Sequence, residues 1–131
     1  MSLGLVVLLM GVGAWLWNSR KSDVPETSHG VKGSLHLETF VINLSDRDQK
    51  SYLRVGIDLG LGQEIDRGQS APPVGQVRDT ILGVLAQSRV DELLTAAGKE
   101  KLKRDLLHAL QERIPGLQVE EVYFTEFLIQ R

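Results

Sequence analysis

Three histidines, His29, His36 and His108, are the side chains of this chain best suited to acid–base or metal chemistry. His36 and Glu38 are two residues apart in a segment predicted to be a strand, so both side chains would face the same side and offer two metal ligands. No third or fourth ligand follows at a suitable spacing, and a solvated strand face is the simpler interpretation. The sequence therefore predicts neither a metal ion nor a cofactor.

Nucleophilic catalysis would need a serine or threonine, a histidine and an orienting acid, and the sequence has no G-x-S-x-G elbow or similar local signature. His108 falls on the polar side of a predicted helix, near Asp105 and Glu112, and is expected to be exposed. We therefore predict that the chain is not an enzyme and has no small-molecule substrate.

The glycines Gly56, Gly60 and Gly62 lie within and at the end of a predicted strand. A phosphate-binding loop would need a third glycine in the G-x-G-x-x-G spacing or a following G-K-S/T, and neither is present. Glycines inside strands more often mark a bulge or the close approach of another backbone. We expect that role here.

Composition narrows the classes of partner. The chain has 131 residues, a formal net charge of −2 and no cysteine. The slight negative charge argues against a nucleic-acid partner, because phosphate binding needs an excess of cations. The lack of cysteine excludes disulfides, thiolate zinc sites and thiol nucleophiles.

The segment Leu3–Trp17 (LGLVVLLMGVGAWLW) carries no charge. As a helix it would be about 22 Å long, against ~30 Å for the hydrocarbon core of a bilayer. A transmembrane anchor, a signal-peptide core and a buried helix are the open interpretations. Trp15 and Trp17, followed by Arg20 and Lys21, resemble an interfacial belt rather than an A-x-A cleavage site, which favours an anchor over residues 1–21. The predicted span includes Leu3, Val6, Val7, Leu8, Leu9, Trp15 and Trp17.

The orientation of this anchor stays open at the level of sequence. Arg20 and Lys21 follow the apolar segment, so the positive-inside rule would place the rest of the chain in the cytoplasm. Two charges weigh little, and a span that begins at Leu3 is consistent with a basic cytoplasmic tail before the first residue.

The rest of the chain divides into a linker and one domain. Residues 22–34 combine Pro, Gly, Ser and charges with few apolar side chains, which predicts a flexible stalk. Residues 35–131 are then left for a single folded domain.

The domain begins with two predicted strands. Leu35–Leu44 is rich in β-branched and apolar residues, with Leu35, Leu37 and Val41 expected on one face and Phe40, Ile42 and Leu44 on the other. After a polar turn, Leu53 to Leu61 alternate with Tyr52 to Gly60, the pattern of a strand with one buried face. The two segments predict an antiparallel hairpin.

Two helices and a last strand follow. Apolar residues at helical spacing predict helices from Val74 to Leu85 and, after a turn near Ser88–Thr95, from Thr95 as N-cap to Ile114. Pro115 ends the second helix, and Val119–Gln130 is predicted to be a long strand. The fold class is therefore α+β, in the order β-β-α-α-β, with the helices packed on one face of a small sheet. The buried stripes are expected to be Val74, Val77, Ile81, Val84 and Leu85 in the first helix, and Leu102, Leu106, Ala109, Leu110 and Ile114 in the second.

Lys99, Lys101, Lys103 and Arg104 form a basic cluster in the second predicted helix. Acidic neighbours are interspersed with them, so a solvated helix face is the simplest interpretation. An acidic partner or acidic lipid headgroups remain the alternative.

Several short segments carry a family resemblance. They are Phe40–Leu44 (FVINL), Tyr52–Val55 (YLRV), Val77–Leu82 (VRDTIL), Leu94–Thr95 with Gly98–Lys99 and Leu102, and Val122–Gln130 (VYFTEFLIQ), the last being the most specific. Together they resemble the FliL family of flagellar basal-body-associated proteins over about Leu35 to Gln130. The positions that match the family pattern are Asn43, Asp79, Gly98, Thr125, Glu126, Phe127 and Gln130, whose role is either structural or in contacts.

The resemblance implies a single-span inner-membrane protein whose C-terminal domain is periplasmic and stomatin-like. It implies further that the domain self-associates into a ring around the motor stator, MotA and MotB, and supports stator assembly and torque in swimming and swarming. The alternative is a membrane-anchored stomatin-like adaptor without a flagellar role.

Overall fold

Four strands and three helices make up the part of the chain that the computed structural model describes, residues 30–45, 50–65 and 71–131. The predicted anchor, residues 1–21, and residues 22–29 of the predicted stalk lie outside these ranges. Within these ranges, the helices lack the combination of length and apolarity that crossing a membrane requires. The strands are β1 (Gly33–His36), β2 (Phe40–Ser45), β3 (Lys50–Leu61) and β4 (Val119–Gln130), and the helices are α1 (Val74–Ala86), α2 (Val90–Leu93) and α3 (Ala96–Arg113), followed by a 3-10 turn (Pro115–Leu117).

Strand β3 is the centre of the sheet, and every other strand pairs with it in antiparallel orientation. Strands β1 and β2 pair with successive halves of β3, while β4 pairs along nearly its whole length, from Leu61 to Tyr52. Strands β1 and β2 must therefore share one edge of β3, and β4 occupies the other. The predicted α+β class and the β2–β3 hairpin are confirmed.

The predicted first strand, Leu35–Leu44, is broken into β1 and β2. The break reverses the alternation, so Leu37 and Phe40 both point into the core, whereas Val41 is 63% exposed. The expectation that Val41 shares a face with Leu35, opposite Phe40, was therefore wrong. Strand β1 begins at Gly33, so the last two residues of the predicted stalk pair with β3.

Arg78 of α1 holds this break in place. Its Nη1 donates a hydrogen bond of 2.8 Å to the carbonyl oxygen of Glu38, and its guanidinium lies 4.1 Å from the centre of the Phe40 ring. The Glu38 carbonyl lies between the two strands and is outside the hydrogen-bond ladder of the sheet. The charged guanidinium of Arg78 is a strong hydrogen-bond donor that takes the place of a ladder partner.

The core lies on one face of the sheet. Leu53, Val55 and Ile57 of β3 are fully buried, and so are the apolar side chains further along the same strand. Helices α1 and α3 cover this face with a stripe of buried residues each, in agreement with the prediction of helices on one side of the sheet. The stripe residues are Val77, Ile81 and Leu85 in α1, and Leu102, Leu106 and Leu110 in α3.

Two differences from the predicted helices are small. Val74, expected in the buried stripe, is 39% exposed because it is the first residue of α1. The predicted turn at Ser88–Thr95 contains the one-turn helix α2, whose Val90 and Leu93 are buried. The predicted cap is confirmed: the Thr95 hydroxyl accepts a hydrogen bond of 2.9 Å from the Gly98 amide.

Gly98 also marks a close backbone contact between α2 and α3. A Cβ at this position would overlap the carbonyl oxygen of Glu92. Gly83, in contrast, lies on α1 where a Cβ would meet nothing within 4 Å. The same residue type therefore has a packing reason in α3 and none within the fold in α1.

We predict opposite effects for alanine at these two glycines. Gly98→Ala should destabilise the fold by about 1–3 kcal/mol, because α2 must move away from α3. Gly83→Ala, its matched control, should stabilise the fold by up to about 1 kcal/mol through helix propensity. The urea midpoint of the full chain, followed by circular dichroism, measures both. Equal loss of stability in the two variants would contradict the contact at Gly98.

Candidate interaction surface

No described helix covers the face of the sheet that points away from α1 and α3, and we call it the open face. It comprises Val41 and Asn43 of β2, Tyr52 and Arg54 of β3, and Tyr123, Thr125, Glu126, Leu128 and Gln130 of β4. Alternation places them there, because successive strand residues point to opposite faces. Large apolar and aromatic side chains on a solvated sheet face are candidates for contact with another protein.

Strand register arranges the open face in two neighbouring rows. Asn43 and Gln130 flank Tyr52 in the first row, and Val41 and Leu128 flank Arg54 in the second. Of these, Val41 is 63% exposed and Leu128 is 52% exposed. The rows form a mixed surface in which apolar side chains border amides and one cation.

Arg54 pairs with Glu126 across the strands. The guanidinium Nε lies 3.1 Å from Oε1 of Glu126, and the two side chains are 56% and 45% exposed. An ion pair so open to water contributes at most about 1 kcal/mol to folding. Both charges are therefore free to form contacts with a partner at little cost to the fold.

His36 and Asp58 form a second pair near the other end of the open face. Nδ1 of His36 lies 2.6 Å from Oδ1 of Asp58, and the histidine side chain is 78% exposed. Glu38 does not join them, because β1 ends at His36. Among residues 30–45, 50–65 and 71–131, no three acidic or histidine side chains are grouped as ligands for a metal ion.

Two bulges in β4 lie opposite the strand glycines. The register shifts at Gly56 and at Gly60, which leaves Thr125 and Glu120 as the extra residues. A Cβ at Gly56 would overlap the hydroxyl of Thr125. The expectation that these glycines mark bulges or close approaches is thus confirmed, and the first bulge turns Thr125 and Glu126 towards the open face.

The residues that match the family pattern separate into two groups. Asn43, Thr125, Glu126 and Gln130 lie together on the open face. The other three are dispersed: Asp79 is exposed on α1, Gly98 is in the first turn of α3, and Phe127 points towards the core side of β4.

The residues of the basic cluster in α3 have different partners within the domain. Lys99 and Lys103 lie over aromatic rings of β4, with ammonium-to-centroid distances of 5.1 Å to Phe127 and 5.7 Å to Phe124. Such cation–π contacts are worth about 0.5–1 kcal/mol at exposed sites. Lys101 pairs with Asp105 at 3.1 Å. The cluster is therefore used mainly within the domain, as the solvated-face interpretation expects.

Sequence reasoning identified the polar side of β3 but did not single out its bulky members as a site. Tyr52 and Arg54 were expected to be solvated, and Val41 was placed on the wrong face. The available signal was the presence of Tyr52 and Arg54 among the residues that alternate with the buried ones, since Tyr and Arg are enriched at protein interfaces relative to the rest of the surface.

Comparison with known proteins adds an independent observation. Residues 35–130 match the family described as "Flagellar basal body-associated protein FliL". The chain is 33% identical over 93 residues to the flagellar protein FliL of Aquifex aeolicus (strain VF5), covering 70% of this chain and 56% of that relative. It is 25% identical over 125 residues to that of Bacillus subtilis (strain 168), covering 92% and 87%, and 29% identical over 98 residues to that of Escherichia coli (strain K12), covering 72% and 62%.

We predict that the open face contributes little to folding. Val41→Thr and Leu128→Thr should each change the stability by no more than about 0.5 kcal/mol, since both side chains are already largely in water. The matched control, Leu53→Thr on the buried face of β3, should lose about 3 kcal/mol or more. Urea unfolding of the full chain distinguishes these cases. A large loss of stability in either open-face variant would mean that this surface is structural.

Proposed function

The chain belongs to the FliL family of flagellar basal body-associated proteins, and from that premise we propose that it is a non-enzymatic scaffold of the motor stator. Association with the flagellar basal body follows from the family. The finer role is our proposal: a membrane-anchored domain that contacts the stator proteins MotA and MotB and supports their assembly and torque.

One observation carries this proposal. The family match begins at the third residue of β1 and ends with the last residue of β4, so it includes nearly the whole sheet and the helix layer. Four of the positions that match the family pattern lie on the same face of the sheet, which the described helices leave uncovered. Residues kept for contact with a partner are expected on such a face.

The chemistry of the described surface favours contact over catalysis. Its charged groups occur as exposed pairs, Arg54 with Glu126 and His36 with Asp58, rather than as groups converging in a cleft. Exposed pairs surrounded by apolar side chains give specificity and orientation in a protein contact. A scaffold needs these properties and no reactive group.

We place the domain in the periplasm, with residues 1–21 as the inner-membrane anchor and residues 22–34 as the linker. Anchored copies share a surface, which raises their effective concentration and favours self-association into a ring. Arg20 and Lys21 are only two charges, which is too few to fix the orientation by the positive-inside rule.

An enzyme fusion tests the orientation. Alkaline phosphatase fused after Arg131 should be active in the cell, because it folds only in the periplasm, whereas a β-galactosidase fusion at the same site should be inactive. Removal of residues 1–21 is the matched control and should abolish phosphatase activity. The reverse pattern, active β-galactosidase and inactive phosphatase, would place the domain in the cytoplasm.

Deletion of the gene tests the link to the stator. Swimming speed should fall, more strongly in viscous medium, and fluorescently labelled MotB should form fewer or dimmer foci at the basal bodies. Filament number should stay unchanged, because the stator acts after the filament is assembled. Unchanged swarming and unchanged MotB foci in the deletion strain would contradict the proposal.

A further inference from the structure

We propose that copies of this domain associate head to tail, with the open face of one copy against the exposed side of α1 in the next. The inference rests on the self-association proposed above and names the two surfaces that make it. The partner on both sides is a second copy of this chain.

The second surface is the side of α1 that faces away from the core, and we call it the outer stripe. It consists of Gly75, Asp79, Leu82, Gly83 and Ala86, which lie opposite the buried Val77, Ile81 and Leu85. A solvated helix face normally carries several charged or long polar residues. The outer stripe has a single charge, Asp79, and Leu82 remains 38% exposed.

Among the described residues, nothing packs closely against the two glycines of the outer stripe. A Cβ at Gly75 or Gly83 would meet nothing within 4 Å. Gly83, inside the helix, nevertheless costs about 0.8–1 kcal/mol relative to alanine. A surface that must let another chain approach the helix backbone closely would account for both positions.

The outer face of α3 provides the contrast. It exposes Glu100, Arg104 and His108, with Lys101 and Asp105 paired at 3.1 Å. Charged pairs at this spacing are typical of a helix face in water. The two helices cover the same sheet, so the low charge of the outer stripe is a property of α1 and not of the whole helix layer.

The two surfaces complement each other in shape. The open face projects the bulky side chains of Val41, Tyr52 and Leu128, which are between 46% and 63% exposed. The outer stripe offers depressions at its glycines. Packing of large side chains against a helix that carries small residues removes apolar area from water on both partners.

The charges of the two surfaces also match. The open face carries Arg54 and Glu126, and the outer stripe carries Asp79 with Arg113 beside it at a loose 4.0 Å. Asp79 is 79% exposed, so Arg113 leaves it largely available. Contact between copies would bring Arg54 to Asp79 and Glu126 to Arg113, which replaces two open pairs by two pairs shielded from water.

The position of the surfaces determines the kind of assembly. Helix α1 lies on the core side of the sheet, and its outer stripe faces away from the open face. The open face and the outer stripe of one copy therefore cannot contact each other. A pair of copies joined by one contact still has a free open face at one end and a free outer stripe at the other. Such heterologous contacts close into a ring when the rotation between copies permits it.

Charge reversal in the full chain tests the pairing of Arg54 with Asp79. Arg54→Glu alone and Asp79→Arg alone should each weaken self-association by about tenfold, as expected for losing one close interfacial charge pair. An equimolar mixture of the two variants should regain wild-type association. In the mixture the introduced glutamate of one variant meets the introduced arginine of the other, and the native pair re-forms at the alternate contact.

Charge reversals on α3 are the matched controls for this experiment. Arg104→Glu and Glu100→Arg change the same charges on the other helix and should have no effect on self-association. Single variants at Arg54 or Asp79 that associate normally, or a mixture that stays dissociated, would overturn the inference.

Cross-linking tests the surfaces directly, because the natural chain contains no cysteine. Val41→Cys and Leu82→Cys, each introduced alone in the full chain, should give no dimer with a flexible bis-maleimide in membranes. Co-expression of the two should give dimers, and a chain with both substitutions should give a ladder of larger species. Dimers from either single variant, or no product from the pair, would overturn the head-to-tail contact.

The experiments distinguish failure of the head-to-tail contact from failure of the proposed stator role. If MotB foci depend on the chain while the cysteines introduced at Val41 and Leu82 never cross-link, the scaffold role holds and the named surfaces are wrong. If cross-linked ladders form while MotB foci are independent of the chain, the surfaces are right and the stator role fails.

Discussion

The burial of one face of β3 is the constraint on which the rest of the structure depends. Its apolar side chains from Leu53 to Leu61 are fully excluded from water, and α1 and α3 are held to the domain by packing against them. Because side chains alternate along a strand, the residues between them must face the other way. The two long helices among the described residues both pack on one face of the sheet and leave the other face open to solvent. The interaction surface is thus a consequence of how the core is built.

Glycines connect this constraint to the shape of the surface. Gly56 lies beneath Thr125, where β4 carries an extra residue, and the resulting bulge changes which side chains of β4 face outward. Without that shift, Phe127 and Ile129 would point to the open face and Glu126 and Leu128 to the core. The bulge therefore keeps two apolar side chains packed against the core and delivers the partner of Arg54 to the surface.

The features that sequence could predict are those set by local periodicity and local hydrogen bonds. The alternation of β3, the stripes of α1 and α3, and the Thr95 cap each depend on residues close together in the chain. The break between β1 and β2 depends instead on Arg78, which reaches Glu38 from 40 positions away. The family pattern identified four positions on the open face. That they lie on the same surface could be seen only from the register of three strands. Periodicity alone could not supply that register, since a break and a bulge each reverse the alternation.

The proposed scaffold role depends on where side chains lie and not on their reactivity. Gly98 and Gly83 differ in what their surroundings require. A neighbouring carbonyl of the same chain requires the first, whereas the second lowers helix stability and has room for a Cβ among the described residues. A residue that lowers the stability of its own domain is expected where a contact with another molecule offsets that loss. For copies anchored as we propose, weak and directional contacts would be sufficient to enclose a partner, because the anchor raises their effective concentration. Exposed charge pairs and small apolar patches provide such contacts while leaving each copy stable before assembly.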